Sequence, residues 1–310
     1  MSNLMIEAEG LSKYFDSFCA VDQVNLKVPQ GEILVLLGPN GAGKTTTVRM
    51  LTSILQPTQG TARVAGFDVV TQADRVRASV GVLTEHHGLY VRMNAREYLQ
   101  FFASLYQIPA PVARARMEEL ISQFGLADAG KKRLGEYSKG MRQKLALVRT
   151  LIHDPPVILL DEPTSAMDPE SAYIVRDSIR QLRSKDRTII LCTHNLKEAE
   201  ELADQIAIIR RGKIILQGQL TEIRHKLIGA SEFRVNFIDR EMEWHPDGWE
   251  DIQMTKSGRG WVQYRTAHPE LVNPRLVSAL VSANIPFNTL EEVKYSLEEL
   301  YLQTVSREDA

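Results

Sequence analysis

Cysteine is scarce: among 310 residues only Cys19 and Cys192 carry a thiol. They are far apart and lack metal-ligand spacing, which argues against a disulfide framework or a structural zinc site and fits two reduced thiols in a cytosolic protein. Long hydrophobic runs are also missing. The longest, Ile33–Leu37 and Val157–Leu160, are strand-sized, well short of the roughly 18 to 20 residues a membrane span needs. Met1–Gly10 carries Glu7 and Glu9 and lacks a basic start with an apolar core, so no secretory signal is expected. Nor is there an excess of charge. Lys and Arg total 37 against 39 Asp and Glu, a formal charge of -2, so bulk electrostatics point neither to nucleic acid nor to an anionic membrane surface. Internal repeats and low-complexity segments are absent. The composition, 44% hydrophobic and 25% charged, is that of an ordinary globular protein, and the length suggests roughly two domains of about 150 residues.

Each of the two apolar runs ends directly in polar chemistry, Ile33–Leu37 at Gly38 and Val157–Leu160 at Asp161. Such runs read as buried parallel strands. Thr188–Leu191, ending at Cys192-Thr193-His194, and Ile206–Ile209, running into Arg210-Arg211-Gly212, read likewise. With helices between them they predict an α/β core, whose ligands gather at the carboxyl ends of the strands. Between about Gly88 and Pro155 the strand signal disappears, and Ala95–Tyr106, Ala113–Phe124 and Met141–His153 have amphipathic helical spacing, which predicts a helical insertion. After Leu220 short strand candidates (Phe233–Ile238, Trp261–Tyr264) and helices near Arg275–Ala283 and Leu297–Val305 predict a second, small α+β domain over 221–310.

The segment Gly38-Pro39-Asn40-Gly41-Ala42-Gly43-Lys44-Thr45 fits G-x-x-x-x-G-K-[ST], follows an expected strand and precedes an expected helix, Thr46–Leu55. Glycines let backbone N–H groups turn towards an anion and the helix start adds its positive end. Lys44 reaches the terminal phosphates, and Thr45 offers a hydroxyl to magnesium. The competing reading is a glycine-rich turn without ligand. A P-loop nucleotidase also needs an acidic residue after a buried strand to hold Mg2+, and Asp161 stands there with Glu162 next. Adjacent carboxylates at a strand end need a cation or water as partner, so one is read as linked to the metal and the other as acting on the attacking water. Alone, the same string is a strand end and a turn. His194 closes the next expected strand, where an imidazole can bond a terminal phosphate or orient the water and its base. A lone histidine is more often structural, so this reading leans on its neighbours.

A second helix start has the same character. In Tyr137-Ser138-Lys139-Gly140-Met141, Ser138 and Gly140 lie where a helix can be capped or receive an anion. Together these residues resemble the nucleotide-binding subunit of an ABC transporter over roughly Ile6–Gly218, in the family order. Aromatic Tyr14 comes first, then the Walker A loop Gly38–Thr45 with Thr46, a Q-loop position at Glu85 and the signature Tyr137–Met141. Walker B ends in Asp161 and Glu162, followed by a D-loop at Ser165-Ala166-Met167-Asp168 and the switch His194. The resemblance implies a P-loop, RecA-like ATPase core with a helical subdomain over about 88–155, binding ATP and Mg2+. It implies that two copies close head to tail, each ATP lying between one Walker A loop and the partner's Ser138, Lys139, Gly140 and Met141. Tyr14 would stack on adenine; simple packing of a tyrosine near a strand end is the alternative.

Two positions depart from the usual pattern. Lys139 and Met141 replace residues of the common Leu-Ser-Gly-Gly-Gln signature, and Glu85 stands where Gln is usual. Glu85 can accept bonds from magnesium-bound water but cannot donate while ionised. The adjacent His86-His87 has no third ligand at a telling spacing, which disfavours a metal site. These departures, and the closing Ser296–Leu302 segment, resemble the exporter branch with a small C-terminal domain, though the spacing of Leu297, Leu300, Tyr301 and Val305 also suits any docked terminal helix. The expected protein is therefore an ATPase at the cytoplasmic face of the membrane, driving a separate permease, with a C-terminal accessory or dimerisation domain and no nucleic-acid partner. The rival readings are a soluble ABC-type ATPase acting on nucleic acid or ribosomes, and a P-loop kinase.

Overall fold

Residues 3–84, 88–130, 132–165, 167–183, 187–223, 231–242, 244, 249–293 and 295–308 are described by the structure, a computed structural model. Two long strands open the chain, β1 (Leu4–Phe15) and β2 (Phe18–Pro29), which pair antiparallel through a tight turn between Phe15 and Phe18. β3 (Ile33–Leu37) is buried at every position, as its uninterrupted apolar sequence demands. The glycine loop leads into α1 (Lys44–Leu51), after which β4 (Gln59–Val64) and β5 (Phe67–Asp68) extend the first sheet. α2 (Ala73–Ser79) then delivers β6 (Val80–Leu83). Three helices follow, α3 (Ala95–Leu105), α4 (Ala110–Gln123) and α5 (Lys139–Leu151), in the stretch expected to be helical. The remaining core elements are β7 (Val157–Asp161), α6 (Pro169–Leu182), β8 (Thr188–Thr193), α7 (Leu196–Leu202), β9 (Gln205–Arg210) and β10 (Lys213–Gly218).

Among the described residues the core strands form two sheets, an antiparallel one of order β2-β1-β4-β5 and one of order β10-β9-β3-β8-β7-β6. All neighbours in the second run parallel except the β9–β10 hairpin. Both sheets and α1 contribute to one buried cluster, with Ile6, Leu26 and Val64 from the first, Leu34, Leu159 and Ile190 from the second, and Met50 from the helix. At about 1.5–3 kcal/mol per fully buried aliphatic side chain, this shared cluster fastens the two sheets and α1 to one another.

Helix starts follow their caps. Asn94 and Glu97 form a reciprocal capping box on α3, and Asp168 accepts the Ser171 N–H at 2.9 Å at the head of α6. α1 stops four residues before its expected end at Leu55: Ser53 turns left-handed at φ 56°, and the N–H groups of Ile54 and Leu55 both return to Arg49 O.

By its contacts the chain divides into two compact units, Met1–Leu220 and Thr221–Ala310. The second contains β11 (Ser231–Phe237), β12 (Gln253–Gly258), β13 (Trp261–Thr266), α8 (Pro269–Ser282), β14 (Phe287–Glu292) and α9 (Leu297–Glu308). Its sheet, β12-β13-β11-β14, is antiparallel. One face packs Phe233, Val235, Val262 and Tyr264 against Val272, Leu276 and Leu280 of α8. α8 begins well before the expected Arg275; Pro274, which in sequence looks like a boundary, lies inside it.

Candidate active site

The loop between β3 and α1 is shaped by its glycines. Gly41 and Gly43 have φ of 79° and 108°, a region L side chains rarely adopt. A Cβ on Gly43 would also stand 2.7 Å from Ala20 O. Gly38 is excluded from substitution differently, since a Cβ there would meet Ile209 O at 2.3 Å. The result is a cavity of about 390 Å3 lined by Pro39, Asn40, Gly41, Ala42, Gly43, Lys44, Thr45 and Thr46, with Asp161, Glu162, Ser165 and His194 opposite and Phe18 and Ala20 at one side.

Lys44 is nearly buried and its ammonium donates to Gly38 O at 2.6 Å and Pro39 O at 3.2 Å. Thr45 Oγ1 donates to Asp161 Oδ2 at 2.7 Å. This joins the loop to the end of β7, one strand removed in the parallel sheet. Glu162 Oε1 lies 3.5 Å from Lys44 Nζ and 2.9 Å from His194 Nδ1, so one carboxylate oxygen links residues from β3–α1, the end of β7 and the end of β8. Glu162 has a left-handed backbone, φ 50°, held by its N–H bond to Cys192 O at 2.9 Å. A non-glycine residue in that region stores strain of about 1–3 kcal/mol and is enriched at functional sites. Burial, and after it the charge of Asp161, pushes the Cys192 thiol well up, so it stays a neutral packing group.

The structure brings together Pro39–Thr46, Asp161, Glu162 and His194, with Gly38 immediately behind them. Tyr14 is a different case. It does not line the cavity; it is partly exposed and pairs across the hairpin with Cys19, and the neighbouring Cys19 thiol pushes its phenol up. Among the described residues, the phenyl, phenol or indole ring that lines the cavity is that of Phe18, on the opposite arm, 64% exposed. The turn at Asp16-Ser17, with Asp16 left-handed at φ 50°, decides which arm faces the loop, and a short polar pair between aromatic residues was the available hairpin signal.

Ser138, Lys139, Gly140 and Met141 do not line this cavity either. They form the start of α5, with Ser138 as N-cap accepting the Met141 N–H at 3.2 Å. Gly140 packs closely on α6: an added Cβ would lie 2.9 Å from Ser171 Oγ. Glu85 and the His86-His87 pair lie outside the described residues, as does Ala166. Two buried polar residues escaped sequence reading. Gln143 on α5 donates to Pro163 O at 2.6 Å, and Glu198 on α7 accepts the Thr164 hydroxyl at 2.8 Å.

Comparison with known proteins points to one family. Residues 21–165 match the family described as ABC transporter. The ABC transporter ATP-binding protein NatA of Bacillus subtilis (strain 168) is 44% identical over 205 residues, covering 66% of this chain and 83% of that protein. The Nod factor export ATP-binding protein I of Ralstonia nicotianae is 36% identical over 234 residues, 76% of this chain and 73% of that one. A solved structure of an ATP binding subunit of an ABC transporter superposes with a TM-score of 0.67 at 27% identity, covering 72% of this chain and 92% of that chain. The chain belongs to the ATP-binding subunits of ABC transporters. It has the P-loop ABC ATPase fold, binds nucleotide and is an ATP-hydrolysing enzyme, and its relatives favour transport over action on nucleic acid.

Proposed function

We propose that this chain is the motor of an exporter: two copies close head to tail around ATP and Mg2+ and drive a separate membrane permease from its cytoplasmic face. The observation that carries the hydrolytic part is the convergence of Lys44 and His194 on one oxygen of the strained Glu162. Export is supported by likeness to a Nod factor export protein. Among the described residues no helix is long and apolar enough to cross a membrane, which suits a permease in another chain.

The geometry around the glycine loop supports the roles of its residues and of Asp161, Glu162 and His194, and the family likeness supports those of the signature, Glu85 and the tail. Backbone N–H groups of Gly41–Thr46 and the start of α1 receive the phosphates. Lys44 exchanges its two carbonyl partners for phosphate oxygens, a favourable change for a nearly buried ammonium. The hydroxyl of Thr45 and the carboxylate of Asp161 are hard oxygen donors side by side, the set Mg2+ accepts when phosphates and waters complete its shell; bound there, the ion neutralises charge on the terminal phosphates. Glu162 takes the proton of the attacking water. His194 fixes the carboxylate and turns its other ring nitrogen to the phosphate side. Phe18 offers the nucleobase an apolar face, and Tyr14 reaches it only if the hairpin shifts. Ser138 and Gly140, at the positive end of α5, serve the partner's phosphate, with Lys139 an added cation. Glu85 takes the water-ligating role of the usual Gln, and the tail over 221–310 pairs subunits.

Mixing two inactive variants tests this arrangement. Ser138→Arg and Lys44→Ala chains are each expected to be inactive as homodimers, whereas their heterodimer contains one site with both faces intact. Phosphate release should return on mixing. None at any ratio, with heterodimers demonstrated by native mass spectrometry, overturns the head-to-tail site.

A further inference from the structure

We infer that Glu198 is a positioning residue of the hydrolytic site: its buried carboxyl ties the chain just after Glu162 to the chain just before His194. The inference rests on the hydrolytic reading above.

Glu198 sits in the first turn of α7 and is 1% exposed. Oε1 accepts the hydroxyl of Thr164 at 2.8 Å; burial pushes the carboxyl up, and the neighbouring hydroxyls of Thr193 and Thr164 oppose that rise. Thr193 is in turn fixed, since its Oγ1 accepts the Asn195 N–H at 3.0 Å and its carbonyl accepts the Gly38 N–H at 3.2 Å. Thr164 lies two residues past Glu162; Thr193 immediately precedes His194. One carboxyl therefore clamps the two loops whose side chains meet at Glu162 Oε1. The clamp matters because Glu162 is left-handed, a conformation that persists only where the surroundings over-determine it. The N–H bond to Cys192 O fixes one side of that residue, and the Gln143 amide on Pro163 O fixes the next. Thr164 on Glu198 supplies the third restraint. A carboxyl at a buried helix position is costly when an aliphatic side chain fits, and α7 fills its other buried positions with Ala199 and Leu202. The polar choice at 198 is explained by what the oxygens hold.

Four full-length variants test this: Glu198→Leu and Thr164→Val remove the clamp, while Glu198→Gln and Thr164→Ser keep an acceptor or a hydroxyl. The clamp-less pair is expected to lose about 10- to 100-fold in kcat with the KM for ATP within about twofold, because nucleotide contacts stay and only the reacting geometry loosens. The conservative pair should stay within about threefold of wild type. Without nucleotide, amide hydrogen exchange should rise about tenfold or more in 162–165 and 193–195 and stay unchanged in 41–46. Wild-type kcat with unchanged exchange in Thr164→Val overturns the inference, and that near-isosteric variant decides even if Glu198→Leu fails to fold. A wild-type chain that binds but never hydrolyses ATP would sink the hydrolytic reading alone, and exchange would still decide whether Glu198 holds the loops.

Discussion

Glu162 in the first unit and Glu232 in the second are both largely withdrawn from water, with side chains 12% and 2% exposed, yet their surroundings are opposite in kind. Glu232, on β11, is closed by donors. Arg265, its register partner on β13, gives Nε and Nη2 to Oε2 at 3.2 Å each, and the hydroxyls of Thr255 and Tyr295 complete the set. Glu162 faces a cavity beside a lysine and a histidine that both meet its Oε1, and its backbone is strained. A satisfied buried carboxylate has nothing left to offer a ligand and acts as a staple. One at a cavity wall, beside a lysine and a histidine that both meet a single oxygen, keeps its other oxygen available for chemistry. Burial alone does not separate the two; the direction in which the remaining valence points does.

Exchanging each carboxylate for its amide should break this contrast unequally. The largest effect is expected at the cavity: Glu162→Gln should retain ATP binding and lose roughly two to four orders of magnitude in hydrolysis, since an amide takes no proton from water. Phosphate release at saturating ATP measures it, and turnover within tenfold of wild type would remove Glu162 from the chemistry. The same exchange at Glu232 should leave turnover unaltered within about twofold, since the partners it holds, Thr255, Arg265 and Tyr295, all belong to the second unit.

Legibility in the sequence followed the same division. β3 and β7 were readable because parallel strands buried on both faces need unbroken apolar runs, and the glycine loop because its conformations admit few residues. The first sheet was not. Register shifts in β1 between Ala8 and Leu11 and again between Leu11 and Lys13 interrupt the alternation that would have marked it, and β4 is exposed over its first half. The meeting of Lys44, Thr45, Asp161, Glu162 and His194 could be expected because each stands at a strand end or in the loop between. Phe18 could not, because an aromatic residue on each arm of a hairpin leaves the facing side to the turn. Gln143 and Glu198 look like solvent-facing residues in their helices, and only tertiary contact gives them buried partners.

A smaller effect, on stability, is expected when the closed network loses its anion. Glu232→Leu strands a partly exposed Arg265 and two hydroxyls, which should destabilise the second unit by about 2 kcal/mol, below the usual range for a fully buried pair because Arg265 keeps some water. All three tryptophans, Trp244, Trp249 and Trp261, belong to that unit, so urea unfolding followed by tryptophan fluorescence reads it directly. An unchanged midpoint would mean that the network is ornamental to the fold.

The smallest effect sharpens the comparison by pH. Burial pushes the Glu232 carboxyl up, but the Thr255 and Tyr295 hydroxyls and the Arg265 guanidinium outweigh it and hold the group below its ordinary value. With the folded value below the unfolded one, the charge stabilises fully above the ordinary glutamate range near about 4.3, and that stabilisation is lost as pH falls through the lowered folded value. Glu232→Gln should therefore trail wild type by about 1 kcal/mol at roughly pH 7, with the gap narrowing towards about pH 3 as the wild-type carboxyl takes up its proton. Tryptophan-monitored urea midpoints of both chains across that interval measure the gap. If it stays constant down to acid, the stabilisation lies in the shape of the side chain and its hydrogen bonds, and the charge of Glu232 contributes nothing to holding the sheet.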